Sequence, residues 1–78
     1  ARAALNSLAG RFEASAEWNA DAVSGAIKAT MADHGLKMPQ VAIPLRVATL
    51  GVPQTPAIDA VLVVLGRERT LARMRRYL

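Results

Sequence analysis

Met38-Pro39-Gln40-Val41-Ala42-Ile43-Pro44-Leu45-Arg46-Val47-Ala48-Thr49-Leu50 decides the fold, because it fits two periods at once. Val41, Ile43, Leu45 and Val47 alternate with Ala42, Pro44, Arg46 and Ala48, which is the pattern of a strand. The same residues form two helical rows, Val41-Leu45-Ala48 and Ile43-Val47-Leu50. Pro44 argues against a central strand, where it could donate nothing to the ladder. Pro39 suits a helix start, with Pro44 bending the turns after it. The prolines favour helix; the alternation over residues 40–49 leaves strand open on pattern alone.

Downstream, Gly51 ends the run and opens a short loop that closes on Thr55-Pro56. A hydroxyl at the cap position and a proline at the first helical position mark a helix start. Arg46 is thereby brought near a helix N-terminus with uncommitted N–H groups, an arrangement that receives something anionic or rich in acceptors. No nucleophile, base or metal ligand stands beside it, so no bond-making chemistry is expected there. The fourth helix has Ile58, Val61, Leu62 and Leu65 as its inner stripe. Val63 and Val64 make it apolar nearly all round, which predicts the most buried element. Gly66 ends it. The last helix, 67–77, turns Leu71, Met74 and Leu78 inward and carries Arg67, Arg69, Arg73, Arg75 and Arg76 elsewhere.

Upstream, Leu5, Leu8 and Phe12 lie at helical spacing within residues 1–14, and Ser15 to Asn19 breaks the pattern. Asn19 reads as the N-cap of a second helix with Asp21 in its first turn, where a carboxylate favours the positive end. Val23, Ile27 and Met31 form the buried stripe, and Gly35 reads as a left-handed stop after His34. The expected fold is all-α, a compact bundle of about five short helices.

At 78 residues the chain makes a single domain, 1–78, near the size where one core is only just sufficient. It opens on Ala1-Arg2-Ala3-Ala4-Leu5 without an initiator Met, already in helical register, which reads as a fragment of a longer protein. Apolar residues make up 53%, with only one Phe, one Trp and one Tyr, so the core is expected to be thin and rich in alanine. A net charge of +4 and a sequence pI near 10.8 favour a polyanionic partner. Without cysteine there is neither a disulfide framework nor a thiolate metal site. No apolar run approaches membrane-spanning length, so the expectation is a cytoplasmic protein with no membrane partner.

Taken in order, several segments resemble the C-terminal end of bacterial glutamyl-tRNA synthetases, which are class I enzymes. They are Lys37-Met38-Pro39-Gln40-Val41, Pro44-Leu45-Arg46-Val47-Ala48 with Gly51, Thr55-Pro56, Leu65-Gly66-Arg67-Glu68 and Leu71-Ala72-Arg73-Met74. Trp18 matches an aromatic commonly found ahead of that family's second helix. Ala57 stands where the family often has Gly, and Ile58 where it often has Leu. The resemblance implies an anticodon-binding helical domain. Arg46, Thr55, Pro56 and Ile58 would then contact the first two anticodon bases of tRNA(Glu). Lys37, Arg67, Arg69 and Arg73 are candidates for the RNA backbone. It also implies a parent ligase that joins glutamate to tRNA with ATP and Mg2+, bound to this piece at its N-terminal side. The piece itself is expected to hold no cofactor, to lack catalytic activity and to be monomeric.

The residue types agree with that role. Unpaired bases can be splayed out and read on their edges. A guanidinium offers five donors in a fixed fork, Thr55 offers a hydroxyl, and Pro56 and Ile58 offer apolar surface. Each residue also has a structural reading. Thr55-Pro56 is a helix start in any case, and Arg46 could snorkel or pair with Asp59. Asp59 could serve its own helix N-terminus, Trp18 could pack a corner between helices, and the arginine run could be a solvated face. His34 has no second ligand nearby. The rival functions are a helical protein-interaction module and a nucleic-acid-binding bundle indifferent to the anticodon.

Overall fold

In the computed structural model, which describes residues 2–52 and 57–78, the described residues form five helices. They are α1 (Arg2–Ala14), α2 (Ala20–His34), α3 (Met38–Leu50), α4 (Ile58–Leu65) and α5 (Arg67–Tyr77). The stretch that reads both ways is therefore a helix. Lys37 is extended at the cap position, and its N–H donates to Gln40 Oε1 at 2.8 Å. Pro39 falls in the first turn, where an absent N–H is harmless. Of the two candidate rows, the one through Val41 and Leu45 faces the core, joined by Ala42 and Thr49. Ile43, from the other row, is 44% exposed. Thr49 is tolerated inside because its hydroxyl donates back to the Leu45 carbonyl at 2.7 Å.

The upstream helices form as their end signals predict. Asn19 Oδ1 accepts the Ala22 N–H at 2.8 Å, capping α2. Gly35 closes α2 in the left-handed conformation, its N–H on the Met31 carbonyl. The stripe of α2 differs by one residue from expectation. Val23, Ile27 and Thr30 are buried, while Met31 is half-buried against the core. The hydroxyl explains it: Thr30 Oγ1 donates to the Ala26 carbonyl at 2.9 Å and accepts from Arg11 Nη1 at 3.2 Å. A buried polar atom with both bonds made carries little penalty.

One core joins all five helices. Leu5, Leu8 and Phe12 of α1 meet Val23 and Ile27 of α2, Val41 and Leu45 of α3, Leu62 of α4, and Leu71 and Met74 of α5. Each large side chain removed from water there contributes about 1.5–3 kcal/mol. The Cα radius of gyration is 10.8 Å. A typical chain of this length has about 11.5 Å, so the bundle is slightly more compact than usual.

The expectation that α4 is the most buried element is overturned. Within it only Ile58 and Leu62 are buried, and Val64 is 89% exposed. α1 holds that place instead, with Ala4, Leu5, Leu8, Ala9 and Phe12 all buried. The reason is geometric: α1 packs on α2, α3 and α5, whereas α4 packs on α2 and α5. A valine-rich composition says how much of a helix could be buried, not how many neighbours it has.

Candidate nucleic-acid interface

The connection from α3 to α4 begins as the sequence predicts. Gly51 takes φ 76° and gives its N–H to the Val47 carbonyl at 3.0 Å, ending α3 in a left-handed turn. Val52 is exposed. Thr55 and Pro56 lie outside the described residues, and with them the expected cap. The first described helical residue beyond is Ile58, flanked by Ala57, whose carbonyl accepts the Val61 N–H at 3.1 Å. Among the described residues α4 runs from Ile58.

Arg46 sits half-buried on α3 beside Ala42 and Thr49, its neighbours one turn before and after. Ile58 is 7% exposed and belongs to the core. It presents little surface to a base. Asp59 Oδ1 accepts the Ala60 N–H at 2.9 Å, so this carboxylate serves the start of its own helix. Lys37 is exposed at the opposite end of α3 from Gly51.

The arginines of α5 divide into two groups. Arg67 and Arg75 are tied to the N-terminal part of the chain. Arg67 donates to the Ser15 carbonyl and lies over Trp18, its guanidinium carbon 5.9 Å from the ring centroid. Arg75 pairs with Glu13. Trp18 itself plugs the corner between α1, α2 and α4. It meets Phe12 edge-to-face at 5.0 Å and donates Nε1–H to the Leu62 carbonyl at 2.9 Å. The second group is Arg69, Arg73 and Arg76, all exposed. Arg73 Nη1 donates to the Thr49 carbonyl at 2.8 Å, covering one of the last carbonyls of α3 with a cation.

Arg73 and Arg76 line, with Ala48, Thr49 and Tyr77, an open cleft of about 390 Å³ between the ends of α3 and α5. Arg76 and Tyr77 are not among the RNA contacts expected from sequence. The i, i+4, i+7 spacing of Arg69, Arg73 and Arg76 is the signal that marks them as one face. Elsewhere, Ser7 Oγ and His34 Nε2 share a hydrogen bond at 2.9 Å, and Arg11 pairs with Asp33. Among the described residues no group of three or more His, Cys, Asp or Glu could hold a metal ion. None of their helices is long and apolar enough to cross a membrane.

The family model described as "Anticodon binding domain" matches residues 1–78. The chain belongs to the anticodon-binding domain family. It is 73% identical over 78 residues to a glutamate–tRNA ligase of Azoarcus sp. (strain BH72), covering 100% of this chain and 16% of that protein. A glutamate–tRNA ligase of Aromatoleum aromaticum is 68% identical over 77 residues, covering 99% of this chain and 16% of that protein. Another, of Bordetella parapertussis, is 59% identical over 75 residues, covering 96% and 15%. The domain thus spans about one-sixth of the length of the curated relatives it matches. The resemblance drawn from Pro44-Leu45-Arg46, Thr55-Pro56 and Leu65-Gly66-Arg67-Glu68 points to the same family, and the all-helical fold agrees with it.

Proposed function

We propose that this domain reads the anticodon of tRNA(Glu) on behalf of a glutamate–tRNA ligase. The observation that carries the reading is the family match over all 78 residues, in a chain whose Pro44-Leu45-Arg46 segment leads through α3 into the α3–α4 connection. Arg46, with Thr55 and Pro56, contacts the first two anticodon bases, and Ile58, mostly buried, adds at most an edge of apolar surface. Lys37, Arg69 and Arg73 meet backbone phosphates. Arg67 has part of its fork committed to the Ser15 carbonyl and serves chiefly to fix the corner at Trp18.

The rest of the ligase supplies the chemistry: activation of glutamate with ATP and Mg2+, and transfer to the tRNA in the cytoplasm. The domain's share is specificity. Correct engagement of the anticodon sets the distant acceptor end in register, so binding energy gained here is realised in the transfer step. In the full-length ligase, Arg46→Ala is expected to lower kcat/KM for tRNA(Glu) by the equivalent of about 1–3 kcal/mol, as for loss of a bidentate base contact. Unchanged charging efficiency would remove Arg46 from the reading.

A further inference from the structure

Of the residues lining the cleft between the C-terminal ends of α3 and α5, only Arg73 has a role in the proposal above. Three observations bear on it. First, its cationic wall is built: Arg73 is held in place by the Thr49 carbonyl at 2.8 Å. Second, Arg76 lines the cleft with no hydrogen bond or ion pair among the described residues, and neither has Arg69, two turns earlier on α5. The two acidic side chains that pair with arginine among the described residues, Glu13 and Asp33, are engaged by Arg75 and Arg11. Third, Tyr77 adds an aromatic side chain that is 48% exposed. The chemistry is that of a guanidinium pair beside a stacking surface, in a volume within the range of small-ligand sites.

We infer that this cleft is a second RNA contact, which holds one nucleotide by its phosphate and ring without reading its identity. Arg73 and Arg76 take the phosphate, and the Tyr77 ring lies against the base. Every base has a face for stacking, so such a contact tolerates any sequence. This inference rests on the proposal that the domain binds tRNA, but it concerns side chains of α5 other than those that read the anticodon. Arg73, Arg76 and Tyr77 stand on α5, whereas Arg46 stands on α3, one turn from Thr49 of the cleft wall. The two contacts can therefore be removed one at a time.

The test uses the full-length polypeptide that contains this domain and two anticodon stem-loop RNAs, one cognate and one with its first two anticodon bases exchanged. Arg76→Gln is expected to weaken binding of both RNAs by about threefold or more at low salt, and Tyr77→Ala by about fivefold or more. The ratio between the two RNAs stays at the parental value, and Tyr77→Phe, which keeps the ring, binds like the parent. Photocrosslinking of the parental protein to 5-iodouridine-substituted stem-loop should map to Tyr77, a readout that needs no variant to fold. Parental affinity in both Arg76→Gln and Tyr77→Ala overturns the inference, as does crosslinking that bypasses Tyr77. If the parent binds both RNAs equally, the anticodon reading fails instead, and the cleft is still decided by the absolute losses.

Discussion

Thr70 shows how much a single atom decides in a core this thin. Its side chain is fully buried, yet Oγ1 has no hydrogen-bond partner among the described residues. Thr30 and Thr49, buried as deeply, each return a hydroxyl to the carbonyl four residues earlier. An orphaned buried hydroxyl carries the desolvation penalty without the compensating bond. Thr70→Val, which keeps the shape and removes the orphan, is therefore expected to raise the unfolding free energy by about 1 kcal/mol in a urea titration. A loss of stability would mean that the hydroxyl has found a partner. Arg46 poses the opposite problem. Its residue type is legible as a recognition group only through its neighbours, Pro44-Leu45 before it and Gly51 after it, because a lone arginine on a helix is commonly a surface group.

Helix ends carry most of what the elements mean here. Gly66 joins α4 to α5 as the single residue between them, at φ 95° and ψ 149°, a region that side chains rarely enter. Its N–H closes α4 on the Leu62 carbonyl and its own carbonyl accepts the Thr70 N–H, so the turn serves both helices. Gly66→Ala should cost about 1–3 kcal/mol by thermal or urea denaturation, although the added methyl meets nothing within 4 Å. Pro44 is the complementary case, a residue inside a helix that cannot donate its hydrogen bond. Pro44→Ala is expected to stabilise the fold by about 1–3 kcal/mol; destabilisation would show that the proline ring is needed for packing.

The caps at Asn19, Gly35 and Gly51 were readable in the sequence because each is a local device. The depth of α4 was not, since Val61, Val63 and Val64 describe a helix that could be buried all round. Because α4 packs on α2 and α5 while α1 and α3 pack elsewhere on those two helices and on each other, Val64 is left in water. Of the candidate site, the α5 arginines were visible as a run, but their division was not. Arg67 and Arg75 turn toward Ser15 and Glu13, far back along the chain, and no periodicity within α5 announces those partners.

For the whole molecule, the distribution of charge matters more than the sum of +4. Arg11, Arg67 and Arg75 are engaged by Asp33, Ser15 and Glu13, while Lys37, Arg69 and Arg76 stand exposed at the start of α3 and on α5, beside an Arg73 that is also exposed but holds the Thr49 carbonyl. If three or four of these meet phosphates, log affinity for a stem-loop should fall with log salt at a slope of about −2 to −4. Lys37→Ala should reduce that slope by about one and leave the anticodon preference alone. A flat salt profile would favour a protein partner over RNA.

The most direct measurement is the ratio of affinities for cognate and anticodon-exchanged stem-loops, taken at two salt concentrations with parental and Arg46→Ala full-length protein. The parental preference is expected to persist as salt rises, because base contacts release no counterions, and to fall by about 1–3 kcal/mol in Arg46→Ala. Equal binding of both RNAs by the parent, or a preference untouched by Arg46→Ala, would contradict the anticodon reading.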